Sequence, residues 1–315
     1  MGEINAKVNN YLANRERFAD AINVGLFHGK QFVCANDLHE LDTKSWNKNA
    51  KEYIRDQLKC WRFGETKVIL GIEAEQNIQY SMPARMMNYD ALTLHQEIQE
   101  IKAQHRKKKD LPKREYVSGF SYKDTLCPVL SMVLYLGKEH WDAPCHLSQL
   151  LDFDQLPDEI RNEVEGNCND YQIHVLDVNT LESSDMFQSD LREVIGFLIH
   201  QKDKTQLYSY IRNNENFHHL KEDAYDVIVA LGNIKGLDIR MERYEQKGEI
   251  DMCQAIEELM QDNWNEGHAA GLSEDRERIA RLIQKLSEDN RLNILEQVVQ
   301  DCNILEELMR EYSIS

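Results

Sequence analysis

Apolar residues recur with a helical period over residues 18–27. They do so again over a much longer stretch at Met82, Met86, Tyr89, Ala91, Leu92, Leu94, Ile98 and Ile101. Ser81 before this second run, with Pro83 in its first turn, predicts where the long helix starts. Between the two helices the period changes. Residues 54–61 and 67–75 are extended runs joined through Phe63, Gly64, Glu65 and Thr66, which predicts a β-hairpin. Residues 35–49 are polar, contain Asp42 and read as loop, as do Pro112, Lys113 and Arg114. The run LCPVLSMVLYL at 126–136 is almost wholly apolar, as expected of a strand covered on both faces; residues 172–178, with Asp177 near the end, predict a second. From Met186 onward the pattern is helical, in DLREVIGFLIHQ, AYDVIVALGN and IDMCQAIEELMQDNW.

This order predicts an α/β fold, a parallel or mixed sheet flanked by helices with a helical C-terminal region. The expected divisions are a core over 1–180, a helical extension over 181–247 and a C-terminal helical region over 248–315, entered at Gly248. In that last region Ile279, Leu282, Ile283 and Leu286 fall at i, i+3, i+4 and i+7. Such a stripe docks on a partner helix, and a homodimer through these helices is the expected assembly.

Charge changes the picture. The chain carries a net charge of −18, but residues 1–150 hold 21 Lys/Arg against 19 Asp/Glu, whereas residues 151–315 hold 16 against 36. The first part is able to approach a polyanion and the second repels one. Seven scattered cysteines without a CxxC spacing point to reduced thiols, and no Cys/His spacing suits zinc. The eleven histidines read as surface or packing residues, and no phosphate-binding glycine loop is present. No apolar run is long enough to cross a bilayer, so a cytoplasmic protein without a membrane partner is expected.

The candidate chemistry lies on the hairpin. Glu73 and Glu75 stand two apart on its second arm and share a face, with Asp56 near the start of the first arm. Converging carboxylates, with the Ala74 carbonyl between them, make a hard-oxygen site suited to Mg²⁺ or Mn²⁺; the other reading is a face of solvated carboxylates. Arg85, at the start of the long helix, suits either a DNA phosphate or a salt bridge to Glu73 or Asp90. The cluster Arg106, Lys107, Lys108 and Lys109 suits either a DNA backbone or a solvated helix end that complements the macrodipole. Trp141 and Asp142 read as architectural.

The run GIEAEQNIQYSMPARMMNYDALTLHQ resembles the signature of the Rpn-type recombination-promoting nuclease / putative transposase family, in which a Gly-Ile-Glu-x-Gln strand leads through Met-Pro-x-Arg into a helix bearing Tyr-Asp-Ala. FADAINVGLFHGKQ, DLHELDT, GFSYKDTLCPVLSMVLYLGKEHWDAP, DLREVIGFL and DMCQAIEEL resemble further segments of that family in the same order, from about Phe18 to Leu259. The resemblance implies a restriction-endonuclease-like PD-(D/E)XK core and a Mg²⁺- or Mn²⁺-dependent DNA endonuclease of low sequence specificity. It also implies a bacterial setting linked to recombination, mobile elements or phage defence. Asp56 and Glu73 then take the places of the family's acids, and Asp20 is a candidate accessory acid near the metal. Glu75 departs from the pattern, standing where the family has Gln and the wider fold has Lys. Both of those donate a hydrogen bond and an ionised Glu does not. The rival reading is therefore a catalytically weakened homologue that binds DNA or a partner protein.

Overall fold

The hairpin sets the register of the sheet. In the computed structural model its arms are β4 (Gln57–Phe63) and β5 (Thr66–Glu75), paired antiparallel from Phe63 opposite Thr66 to Gln57 opposite Ile72. Gly64 at φ +59° takes the first central position of the two-residue turn, where a positive φ is needed. The structure describes residues 2–46, 52–234, 237, 245–246, 248–289, 291, 294, 302–312 and 314. They divide into two compact units, Met1–Cys253 and Gln254–Ser315.

In the first unit β5 is the middle of a five-stranded mixed sheet. A short edge strand, β1 (Leu38–Glu40), pairs antiparallel with β4, while β6 (Val129–Tyr135) and β7 (His174–Asp177) continue parallel from β5. The polar loop expected over 35–49 is thus partly strand: β1, and a ribbon of β2 (Lys44–Trp46) with β3 (Glu52–Ile54). β1 has only Leu38 buried, so there was no alternation to read. Residues 47–49 of that loop lie outside the described residues.

Helices cover both faces. On one lies α3 (Met82–Lys108), whose Met82, Met86 and Tyr89 pack with Val133 and Tyr135 of β6. On the other lies α2 (Arg15–Gly25), close enough that a Cβ on Gly25 would collide with Met132. An N-terminal helix, α1 (Gly2–Leu12), packs beside β5 and escapes the periodicity because only Val8, Tyr11 and Leu12 are buried. The loop expected at 112–114 contains a four-residue helix, α4 (Lys113–Tyr116), and α5 (Asp158–Asn167) precedes β7.

The remainder of this unit is mainly helical: α6 (Leu191–His200), α7 (Lys204–Asn213) and α8 (Glu222–Gly232), with a small ladder of β8 (Leu220–Lys221), β9 (Glu245–Gln246) and β10 (Glu249–Ile250). Arg17, 2 % exposed, joins α2 to this layer through Asp190 and Asp223. In the second unit the long helix Met252–Glu288 places Leu282 and Leu286 against Leu308 and Met309 of the last helix, Cys302–Glu311. Ile279 and Ile283, from the same stripe, remain exposed. No helix among the described residues is long and apolar enough to cross a membrane.

Candidate active site

Register decides which side chains meet. Glu73 lies opposite Val133 and Glu75 opposite Tyr135, so both carboxylates point to the face that α3 covers. β4 stops pairing at Gln57, and Asp56 stands at the open end beside them. Its Oδ2 accepts the Ala74 N–H at 2.9 Å, and its own backbone N–H donates weakly to Glu73 Oε1 at 3.4 Å. The Glu75 carbonyl is taken by Leu136 of the β6 side, so the Ala74 carbonyl faces the other way, toward the end of β4. Asp56, Glu73, Glu75 and the Ala74 carbonyl therefore converge on one place.

α3 delivers Arg85 to the same place. Its guanidinium spans the two glutamates, Nη1 to Glu75 Oε1 at 2.5 Å and Nη2 to Glu73 Oε2 at 3.0 Å, with Nε donating to the Tyr89 hydroxyl at 3.3 Å. Of the partners foreseen for Arg85, Glu73 is thus realised, and Asp90 is engaged by another cation. That cation is Arg55, 2 % exposed, which donates to Asp90 Oδ1 at 3.0 Å and to Ser131 Oγ at 2.6 Å. Asp90 also accepts from Ser131 and Tyr171. Gly71 makes room for this arrangement, since a Cβ there would collide with the Arg55 guanidinium and the Ser131 hydroxyl.

The charges do not balance. Among the described residues of the cluster, Arg55 and Arg85 stand against Asp56, Glu73, Glu75 and Asp90, which leaves two negative charges in excess when all four acids are ionised. Arg55 Nε lies 3.5 Å from Glu73 Oε1, too far to count as a good hydrogen bond. Burial, reinforced by Asp56, pushes the fully buried Glu73 carboxyl up to about 7 despite both arginines. Burial also raises Glu75, against the pull of Arg85. Asn9 of α1 adds one more oxygen: its amide donates to Asp56 Oδ1 at 2.7 Å, while its own Oδ1 is buried without a protein hydrogen-bond partner. An excess of two charges, hard-oxygen donors and an orphaned acceptor fit one divalent cation of the Mg²⁺ or Mn²⁺ kind.

Other predicted site residues are placed elsewhere. Asp20 Oδ2 accepts from the backbone N–H groups of Gln188 and Ser189 and from the Ser189 hydroxyl, and none of these hydrogen bonds reaches the cluster. Arg106, Lys107 and Lys108 occupy the last turn of α3, at the opposite end from Arg85. The Trp141 loop is pinned by its N–H to Asp177 and its ring N–H to Ala143. A separate grouping was not visible in the sequence: His218, Asp251 and Cys253 hold their ligand atoms within 4.8 Å of one another. This N/O/S set has the softer character of a zinc site, and His218 Nδ1 already pairs with Asp251 at 3.0 Å. Asn9 carried no sequence signal. Arg55 was adjacent to a candidate acid, and only the fold shows it buried.

A mixed sheet between helices, with acids gathered at the end of a central hairpin, defines a restriction-endonuclease-like core. The family model described as "Putative transposase, YhgA-like" matches residues 47–225, and the chain belongs to this family, whose fold is PD-(D/E)XK nuclease-like. No curated protein and no solved structure matches the chain.

Proposed function

We propose that this protein is a metal-dependent DNA endonuclease that hydrolyses phosphodiester bonds with little sequence preference. The observation that carries the reading is the convergence of Asp56, Glu73, Glu75 and the Ala74 carbonyl beneath Arg85, with a two-charge excess of acid. Asp56, Glu73 and the Ala74 carbonyl would hold Mg²⁺ or Mn²⁺, which when bound supplies an activated water and charge neutralisation at the scissile phosphate. Asn9 orients Asp56, and Arg55 and Ser131 hold Asp90 behind the site. Glu75 does not itself supply the cation or donor of the wider fold. Arg85, seated on Glu75, brings a guanidinium to that position from α3, suited to a phosphate oxygen once a metal relieves the glutamates.

The family membership supports DNA as the partner, and with it a role in recombination, mobile elements or phage defence in the bacterial cytoplasm. Within this reading residues 1–180 form the nuclease, 181–247 extend it, and 248–315 serve regulation or a homodimer; the exposed Ile279 and Ile283 supply an apolar surface for that contact. The second reading is a non-cutting DNA- or protein-binding homologue, favoured by the Arg85 clamp across both glutamates. Incubation of supercoiled plasmid with the full chain, with and without Mg²⁺ or Mn²⁺, separates the two. Metal-dependent nicking that falls about a hundred- to a thousand-fold in Asp56→Ala supports the nuclease. Equal cutting by the variant removes this site assignment, and absence of cutting at any metal concentration favours the binding module.

A further inference from the structure

The distal end of α3 carries a feature that the carboxylate site does not use. Residues 102–123 hold eight Lys/Arg against two Asp/Glu, in a chain whose net charge is −18. Three large side chains stand out of the same loop, Tyr116 at 75 %, Val117 at 94 % and Tyr122 at 78 % exposed. Single exposed apolar residues are ordinary, but three within seven residues on a cationic surface form a patch. Tyr116 and Val117 share a cleft of about 730 Å³ with Lys102, Arg106 and Lys109.

The loop is tied down in a way that uses up its acids. His105 holds Asp110 through Nδ1 at 2.6 Å and Asp124 through Nε2 at 2.9 Å. Asp124 also caps the Ser121 N–H at 2.6 Å, and Glu115 pairs with Arg114. Among the described residues Lys102, Arg106, Lys107 and Lys109 form no ion pair. Complementing the helix dipole accounts for cations in the last turn of α3. It does not account for Lys102, Lys113, Arg114 and Lys123, or for the bare rings.

We propose that this end of α3, with the loop over residues 110–124, is a platform for unpaired nucleic-acid bases; the proposal rests on DNA being the substrate. Lys102, Arg106 and Lys109 take backbone phosphates, and Tyr116 and Tyr122 stack on bases. Stacking is tolerant of sequence because every base has a π face. In a duplex those faces are occupied by neighbouring bases, so the rings favour a single strand or a frayed end. A basic, apolar loop also suits an anionic membrane surface. The cleft between cationic side chains and the flat Tyr116 ring, on the helix whose first turn enters the acid cluster, favours the nucleic acid.

The test uses the full chain carrying Asp56→Ala, so that no strand is cut. Fluorescence anisotropy is read with a labelled mixed-sequence oligodeoxynucleotide, alone and annealed to its complement, and parallel sedimentation uses vesicles containing phosphatidylserine. The single strand is expected to bind more tightly than the duplex. Tyr116→Ala with Tyr122→Ala should weaken single-strand binding about ten- to a hundred-fold and leave duplex binding little changed. Tyr116→Phe with Tyr122→Phe should retain the affinity. Lys102→Ala with Arg106→Ala should weaken both and flatten the salt dependence. Equal affinity for the two DNAs, indifference to the tyrosines, or vesicle binding that exceeds oligonucleotide binding would overturn the platform. The nuclease reading fails separately: a parent protein that never nicks plasmid yet loses single-strand binding with the tyrosines keeps the platform and loses the chemistry.

Discussion

Two buried arginines, Arg17 on the α2 side of the sheet and Arg55 on the α3 side, are equally hidden from water at 2 % exposure but sit in opposite electrostatic settings. Arg17 spends its guanidinium on Asp190, at 2.6 and 2.7 Å, and on Asp223, with the Tyr11 carbonyl at 3.2 Å. Burial works to raise Asp223, yet Arg17 overrides it and holds that carboxyl below its ordinary range. Around Arg55 the acids outnumber the cations, one donor is poorly placed and Glu73 is driven up to about 7. The first network is nearly complete in the protein alone, as expected of a tether between layers. The second leaves acid in excess of cation, the kind of perturbed setting that gathers at functional sites.

The contrast breaks most sharply on Arg17. Arg17→Ala leaves Asp190 without its main partner and should cost about 3–5 kcal/mol in denaturant unfolding. A loss under about 1 kcal/mol would mean that the tether is no more than a surface pair.

The next effect is one of pH. In chelator, metal-free, Glu73 keeps its proton in the fold up to about pH 7 but releases it near 4.5 when unfolded. The folded chain therefore binds more protons in that window, and stability falls as pH rises through it, by on the order of 3 kcal/mol in total. The difference between parent and Glu73→Gln isolates this contribution. Adding Mn²⁺ should erase it at pH 8, and a parent that gains stability relative to the variant as pH rises would contradict the sign.

Gly71→Ala tests the supporting shell. The added methyl meets Arg55 and Ser131, and overpacking of this kind should cost about 1–3 kcal/mol. A neutral melting midpoint would show that Arg55 has another position to take.

The smallest effect expected is at Glu75. Glu75→Gln frees Arg85 from one partner and, if Glu75 serves only to seat that cation, should change the nicking rate within about tenfold, with more gain in Mg²⁺ than in Mn²⁺. A joint fall in metal affinity and rate for both Glu75→Gln and Glu75→Lys would make Glu75 a metal ligand.

Much of this frame was readable in the chain. The two extended runs joined through Gly64 gave the hairpin, the Ser81/Pro83 start gave α3, and the two-residue spacing put Glu73 and Glu75 on one face. What was hidden depends on contacts distant in sequence. Asn9 reaches Asp56 across 47 positions and Tyr171 reaches Asp90 across 81, and neither leaves a local pattern. The partner of Arg85 was undecidable because Glu73, Glu75 and Asp90 all lie within ten or so residues of it; only the burial of Arg55 against Asp90 assigns the glutamates to Arg85.

Finally, α3 is a single unbroken helix with Arg85 near one end and Arg106 near the other. At about 1.5 Å per residue the two stand roughly 32 Å apart, a distance set by backbone hydrogen bonds rather than by any loop. A strand held at both points would be metered, because the fixed length of the helix sets the separation between where it is gripped and where it is cut. The helix is then a ruler, and inserting about one turn, roughly 5.4 Å, into its exposed middle should move the cut outward along the strand.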